Sequence, residues 1–325
     1  MPELGFALSS EDHPPNELVR QAVLAERSGF TFCLISDHYH PWIDRQGQSP
    51  FVWGVLGAIA QATETLRVGT GVTCPTVRIH PAIIAQASAT AASLMPGRFF
   101  LGLGTGERLN EHILGAPWPA WDVRAEMLAE AVGVIRQLWE GDMTSHRGRH
   151  YTVDTARIYS LPEQLPPIYV AAGGTKAARE AARLGDGIIG TGADRSIIDA
   201  FGDAGGEGPR IGQVTVCWAA TEAEARRTAR EWWPTVAIHG EASQELPSPA
   251  HFEQLTKSVT EEQVAEVVPC GPDAARHLAK IAEYVDAGYD HVYIHQIGPD
   301  QAGFIKFAEG ELLPALKPDA LRLAS

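Results

Sequence analysis

Short β-branched or apolar runs recur along the chain, each followed by a longer stretch whose apolar positions fall three and four residues apart. That change of period from two to 3.6 marks strands alternating with amphipathic helices, the pattern of an α/β protein with a parallel sheet. The pattern predicts eight strands, at 4–8, 31–35, 67–73, 98–102, 168–171, 187–189, 213–219 and 291–295. Helices are predicted at 15–28, 50–63, 81–94, 122–140, 176–184, 222–233, 273–287 and 303–316. So many strand-helix units fit a closed (β/α)8 TIM barrel better than an open doubly wound sheet, which usually has fewer strands.

Helix punctuation agrees: Thr221 precedes Glu222 and Glu224, Thr260 precedes Glu261 and Glu262, and Pro81 suits a first helical turn. Two segments interrupt the repeat. One is 143–166, which alternates like a hairpin over Gly148-Arg149-His150-Tyr151-Thr152-Val153, and the other is 237–260, rich in polar residues and proline. Both are expected to be insertions in a single domain covering 1–325, over one mouth of the barrel. There each would be either a lid or substrate wall, or a solvated excursion.

Composition narrows the functional classes. Of 325 residues, 45% are hydrophobic, ample for one large core. Asp and Glu number 40 against 26 Lys and Arg, a formal charge of −14, which argues against holding nucleic acid or an anionic membrane through released counterions. The expected partners are a small-molecule substrate and other subunits. No uninterrupted apolar run of about twenty residues exists, and the opening MPELGFALSSEDHPP lacks a secretory pattern, so a cytoplasmic protein is expected. Cys33, Cys74, Cys217 and Cys270 are widely spaced and suggest reduced thiols, with neither a disulfide framework nor a metal site.

A barrel collects its strand ends at one mouth, and four of those ends carry unusual residues. The second strand runs into Ser36-Asp37-His38-Tyr39-His40-Pro41-Trp42. There Asp37 suits the placing of a cofactor or of a histidine tautomer, and His38 suits general acid-base work; a satisfied structural histidine is the alternative. The third strand contains Gly69-Thr70-Gly71-Val72-Thr73-Cys74, and glycine inside a strand marks either close approach by a flat ring or tight packing. The fourth leads into Gly102-Leu103-Gly104-Thr105-Gly106-Glu107, which lacks the third glycine of a dinucleotide fingerprint because Leu109 holds that place. Glu107 there faces either the mouth or plain solvent. The fifth leads into Ala171-Ala172-Gly173-Gly174-Thr175-Lys176 and a helix, giving either an anion site on backbone N–H groups or a simple cap at Thr175. No nucleophile elbow and no metal-ligand spacing is present.

Taken together, SDHYHPW, TGVTCPT, HPAIIAQASATAASLMPGRFFLGLGTGERLNE, IYVAAGG and HVYIHQIGPDQAGF resemble the luciferase-like family over nearly the whole chain. The resemblance is to its deazaflavin branch, dependent on coenzyme F420, and within it to the glucose-6-phosphate dehydrogenase-like subgroup. It implies a bacterial luciferase-like barrel, a homodimer, and hydride transfer between the deazaflavin and an alcohol or carbonyl substrate. By matching motif, Asp37, Gly71, Val72, Cys74, Gly106, Asn110, Ala172, Gly173, Gly174 and Thr191 would line the cofactor cleft, with a non-proline cis peptide at Gly71-Val72 behind the ring. The family's catalytic set matches His38, Trp42, Glu107 and Glu11. The implied roles are proton acceptor for His38, proton handling at the reduced ring for Glu107, pocket shaping for Trp42, and substrate holding or orientation of His38 for Glu11.

One departure bears on substrate. Where the subgroup holds a sugar phosphate with two lysines and an arginine, this chain has Asp194, Gln254 and Val267, with Arg195 and Lys257 as the nearby cations available to replace them. Weak or no activity on glucose 6-phosphate is expected, and a neutral or hydrophobic alcohol, aldehyde or ketone fits better. Two rival readings are a flavin mononucleotide-dependent monooxygenase on the same barrel and a non-catalytic deazaflavin-binding barrel.

Overall fold

Four barrel residues in a row, Phe32–Ile35, are buried on both faces of their strand, and so are Phe99–Leu103 and Gly187–Gly190. Continuous burial of this kind belongs to a parallel sheet with helices outside and side chains filling the inside. A computed structural model describes residues 2–238 and 240–316 in this arrangement. The strands are β1 (Glu3–Leu8), β2 (Phe32–Ile35), β3 (Arg67–Thr70), β4 (Phe99–Leu103), β5 (Thr144–Arg147), β6 (Thr152–Ala156), β7 (Ile168–Ala171), β8 (Gly187–Gly190), β9 (Arg210–Val216) and β10 (His291–Gln296). All but β5 and β6 close into one parallel barrel in the order β1-β10-β9-β8-β7-β4-β3-β2.

Alternation along each strand divides two cores. Phe32 and Leu34 join Phe100, Ile189, Ile211 and Tyr293 inside the barrel. Cys33 and Ile35 instead join the larger layer between barrel and helices. Around the barrel run α1 (Pro15–Ser28), α2 (Val52–Ala62), α3 (Pro81–Leu94), α4 (Arg108–Glu111), α5 (Trp121–Trp139), α6 (Thr175–Leu184) and α7 (Arg195–Asp203). They continue with α8 (Glu222–Trp232), α9 (Ala242–Glu245), α10 (Pro249–Thr256), α11 (Glu261–Val267), α12 (Ala274–Ala287) and α13 (Gln301–Phe307).

Several boundaries differ from the sequence reading. The third strand stops at Thr70; a cis peptide follows at Gly71-Val72, and beyond it Thr73 makes an isolated bridge to Leu103. The strand expected at 213–219 spans Arg210–Val216, since Ile211 and Gly212 already pair with β8 while Cys217 leaves to bridge Cys270. The helix α7 has no counterpart in the prediction; it is short, buries Ile197, Ile198, Ala200 and Phe201, and is capped by Asp194 accepting from Ser196 N–H. The last predicted helix is α13 continued through a π-helical turn at Ala308–Leu312.

The two insertions also part company. The first contains the antiparallel β5-β6 hairpin, but it does not line the cavity at the mouth. It is clasped to α5 and to the loop after β3 instead: Glu130 of α5 accepts from the N–H groups of Arg149, His150 and Tyr151, and Tyr151 Oη lies 2.8 Å and 3.0 Å from the carbonyl oxygens of Pro75 and Thr76, to either of which its hydroxyl can donate. The second insertion supplies Ile238, Glu241, Gln244 and Phe252 to the cavity wall. Among the described residues, no helix is long and apolar enough to cross a membrane.

Candidate active site

The carboxyl ends of the barrel strands surround a cavity of about 1160 Å³. Every candidate site residue lines it. Glu11 comes from the loop after β1, and Asp37, His38 and Trp42 come from the turn after β2. Gly71, Val72 and Cys74 follow β3, and Gly106, Glu107 and Asn110 follow β4. Ala172, Gly173, Gly174 and Thr191 come from the ends of β7 and β8.

His38 stands between two carboxylates, with Nδ1 3.2 Å from Glu11 Oε1 and Nε2 3.5 Å from Glu107 Oε2. The His40 carbonyl lies 3.3 Å from Nδ1 as a second acceptor. Two acceptors facing one ring nitrogen require it to carry the proton, which leaves Nε2 with its lone pair toward the cavity in the neutral ring. Glu11 is itself held by Ser36 Oγ at 2.6 Å and Ser9 Oγ at 3.1 Å. Burial pushes its carboxyl up, but the charge of His38 and these hydroxyls outweigh it, so its pKa lies below the usual value. Glu107 moves the other way: burial raises it, His38 only partly offsets this, and the charges of Glu11 and Glu111 raise it further.

Asn110 links the second and fourth strand ends. Its Oδ1 accepts from Tyr39 N–H at 2.9 Å and His40 N–H at 3.1 Å, while its Nδ2 donates to Glu107 at 3.3 Å. Trp42 stands with its ring centre 5.0 Å from that of His38, edge-on to Phe252 at 5.2 Å and Trp233 at 6.2 Å. Trp233 in turn meets His295 at 4.6 Å, so one aromatic wall runs between two imidazoles. Burial drives the His295 pKa down to about 4, which leaves that ring neutral near pH 7.

Asp37 has both carboxylate oxygens engaged within the protein, accepting from Thr73 Oγ1 at 2.7 Å and from Arg78 Nη2 at 2.9 Å. Arg78 also pairs with Glu111, which accepts from the Arg78 and Val77 N–H groups. Cys74 is buried, its thiol pushed well up by burial and bonded to Thr76 at 2.8 Å. Gly106, at φ +80°, lies where a Cβ would be 2.4 Å from the Cys74 sulfur, so only glycine fits.

At Gly173 and Gly174 an added Cβ would meet nothing within 4 Å. Of the two readings of this turn, the cap at Thr175 is not formed: Thr175 is the first residue of α6, and its N-cap is Gly174, which has no side chain to bond the free N–H groups. A helix amino terminus thus opens into the cavity. Sequence reasoning gave no site role to Ser9, Ser36, Arg78, Glu111 and His295; the position of Ser9, Ser36 and His295 at strand ends is the one signal for three of them.

Comparison with known proteins places these features. The model of the luciferase-like monooxygenase family matches residues 2–291. An F420-dependent glucose-6-phosphate dehydrogenase from Microbacterium testaceum (strain StLB037) is 36% identical over 326 residues, covering 96% of this chain and 97% of that protein. A protein of the same name from Intrasporangium calvum is 37% identical over 333 residues, covering 98% and 99%. Among solved structures, an F420-dependent secondary alcohol dehydrogenase in complex with an F420-acetone adduct superposes with a TM-score of 0.90 at 29% identity, covering 97% of this chain and 99% of that one.

Proposed function

The chain belongs to the luciferase-like monooxygenase family and is an F420-dependent oxidoreductase; we propose that its substrate is a neutral alcohol or the matching carbonyl compound, and not glucose 6-phosphate. The observation that carries the substrate class is the charge of the cavity. Among the described lining residues, Lys176 is the one lysine or arginine, and it is already paired with Asp122 at 2.5 Å, while Glu11, Asp37, Glu107, Glu111 and Glu241 supply carboxylates. Val267 lines the wall as an apolar group, whereas Asp194 caps its own helix and Gln254 is exposed outside the cavity. Nor do Arg195 and Lys257 replace the lost cations: Arg195 donates to the Asp286 carbonyl, and neither residue lines the cavity. A dianionic phosphate would find no free cation there.

The residues present fit the deazaflavin coenzyme. The open faces of Gly173 and Gly174 and the uncapped amino terminus of α6 leave room and N–H donors for an anionic portion, and Gly71, Val72 and Cys74 would back the ring. When bound, F420 supplies a two-electron hydride acceptor or donor. His38 Nε2 takes the hydroxyl proton of the alcohol, and returns it in the reverse direction. Glu11 holds the Nδ1 proton and keeps the ring in that tautomer. The Glu107 carboxyl, its pKa raised by burial, would pass a proton at the ring site, and Trp42 with Phe252 walls the substrate against water.

A second copy of the chain is the proposed partner. Phe51, Ile83 and Leu94 are 62%, 56% and 41% exposed along a groove between α2 and α3 that Trp53, Ile79 and Ala91 also line. So many large apolar side chains in one patch suit a subunit interface. The four buried free cysteines suit the cytosol.

Binding of F420 and of flavin mononucleotide, read by tryptophan quenching, tests the cofactor. Turnover of a panel of alcohols and ketones, followed by F420 absorbance, tests the substrate. Preference for F420 with turnover of neutral alcohols is expected; efficient turnover of micromolar glucose 6-phosphate would overturn the substrate class.

A further inference from the structure

Beside the His38–Glu11 pair lies a second buried carboxyl that the reaction described above does not use. Asp12 is 7% exposed, and its Oδ2 is 3.0 Å from Ser9 Oγ, the same hydroxyl that lies 3.1 Å from Glu11 Oε2. A serine hydroxyl carries one hydrogen and can donate to only one of two carboxylates. Ser36 Oγ already donates to Glu11 at 2.6 Å, and His38 Nδ1 faces the other Glu11 oxygen at 3.2 Å. If both carboxyls were ionised, Ser9 would leave one of two like charges without its donor in a buried site. One proton on Asp12 resolves the conflict. Asp12 then donates to Ser9, Ser9 donates to Glu11, and His38 donates to Glu11 from the other side.

We propose that Asp12 is a positioning residue, a carboxylic acid kept un-ionised so that the chain Asp12, Ser9, Glu11 and His38 holds its hydrogen bonds in one direction and presents His38 Nε2 as an acceptor. This rests on the reading of His38 as the group that takes the substrate proton. The surroundings agree. Asp12 Oδ1 is buried with no hydrogen-bond partner, as is the Nε2 of the neighbouring Gln46. The groups that face this cluster are Glu11 and His13 in its own loop, Ser36 and His38 from the end of β2, Gln46 from the following turn, His295 from β10, and Glu17 of α1 through His13. Burial and the charge of Glu11 push the Asp12 carboxyl up to about 7, against the pull of Ser9 and Gln46. His13 is driven down to about 4 by burial, and so brings no positive charge to offset ionisation of Asp12 near neutral pH.

When Asp12 loses its proton, Ser9 is shared between two carboxylates, Glu11 loses a donor, and the hold on His38 loosens. The wild-type kcat for alcohol oxidation should therefore fall by at least about threefold as pH rises through neutrality. Asparagine in its place keeps a donor toward Ser9 and cannot ionise.

The test combines two readouts. Infrared difference spectra of the protein alone, wild type minus Asp12→Asn, should show the carbonyl stretch of an un-ionised carboxylic acid at pH 6 that fades by pH 9. The kcat profile of the F420-loaded enzyme should lose its neutral inflection in Asp12→Asn, with KM for the alcohol changed less than about twofold. A Ser9→Ala enzyme should also lose the inflection while keeping the infrared band. Absence of the band in wild type, or profiles of identical shape in wild type and Asp12→Asn, would overturn the proposal. A band without any alcohol turnover would instead refute the substrate reading and leave the protonation of Asp12 established.

Discussion

His38 Nδ1 and Glu11 Oε1 stand 3.2 Å apart, which ties the end of β2 to the loop after β1 at the point where the barrel opens. Because the contact fixes which nitrogen of His38 carries the proton, its two members should fail differently. His38→Ala should cut kcat by roughly a hundredfold or more, as loss of a general base does. Glu11→Gln leaves the imidazole in place but weakens its orientation, so a loss of about tenfold in kcat with little change in KM is expected. The folded pKa of Glu11 is lowered, so its ionised form stabilises the fold above the unfolded value of 4.5, and that stability is lost as pH falls through the folded value. The Tm deficit of Glu11→Gln should therefore be largest near pH 7 and shrink in acid. An equal deficit at every pH would break the link between this carboxylate and its partners.

Two glycines on the cavity wall should respond in opposite ways to the same added methyl group. Gly106→Ala places a Cβ 2.4 Å from the Cys74 sulfur at φ +80°, and should cost about 1–3 kcal/mol of stability. Gly173→Ala meets nothing within 4 Å and should leave the Tm unchanged. If the coenzyme occupies that space, F420 affinity should nevertheless fall about tenfold, the loss of roughly 1.4 kcal/mol. Unchanged F420 binding in Gly173→Ala would move the coenzyme away from the end of β7.

Arg78 is the keystone of the buried charges under the site, paired with Asp37 at 2.9 Å and Glu111 at 3.4 Å. Arg78→Ala strands two carboxylates at side-chain exposures of 1% each and should cost about 3–5 kcal/mol in denaturant unfolding. Arg78→Lys keeps the charge but not the planar fork, and should recover only part of the loss. A mild effect from Arg78→Ala would mean that one of the two carboxyls is already protonated.

How far this was legible in the chain depends on the range of the interaction. The strands stand out because β-branched runs are a local signal, and the residues at their ends meet because a barrel forces them to. Such locality let Asp37, His38 and Glu107 be picked out before any geometry. The Arg78 network has no such signal: Arg78 meets Asp37 from 41 residues away, and nothing in TVRIHP marks the arginine as buried. The proton on Asp12 depends on burial and on a hydroxyl shared with Glu11, neither of which a one-dimensional pattern contains. The hairpin was visible as an alternation, yet its resting place on α5 is set by Glu130 catching three N–H groups, so its placement over the mouth was misjudged. The helix α7 was missed because its apolar face is only Ile197, Ile198, Ala200 and Phe201, within a stretch otherwise polar.

Val267 offers a direct test of why the cavity should refuse phosphate. It closes α11, lines the cavity, and is 45% exposed, so a longer side chain has room to extend. Val267→Arg would place a permanent cation on a wall otherwise rich in carboxylates and aromatic rings. Two consequences follow from charge alone. An anionic sugar phosphate gains a partner it lacked, and kcat/KM for glucose 6-phosphate should rise by about tenfold or more from a very low base, an effect that fades with added salt because the site is open to solvent. A neutral alcohol gains nothing and meets a hydrated head group in its apolar pocket, so its KM should rise severalfold. The measurement is parallel kinetics on both substrates at low and high ionic strength. If the arginine raised neither value, a cation on this wall would not govern phosphate recognition, and the charge argument for a neutral substrate would fall.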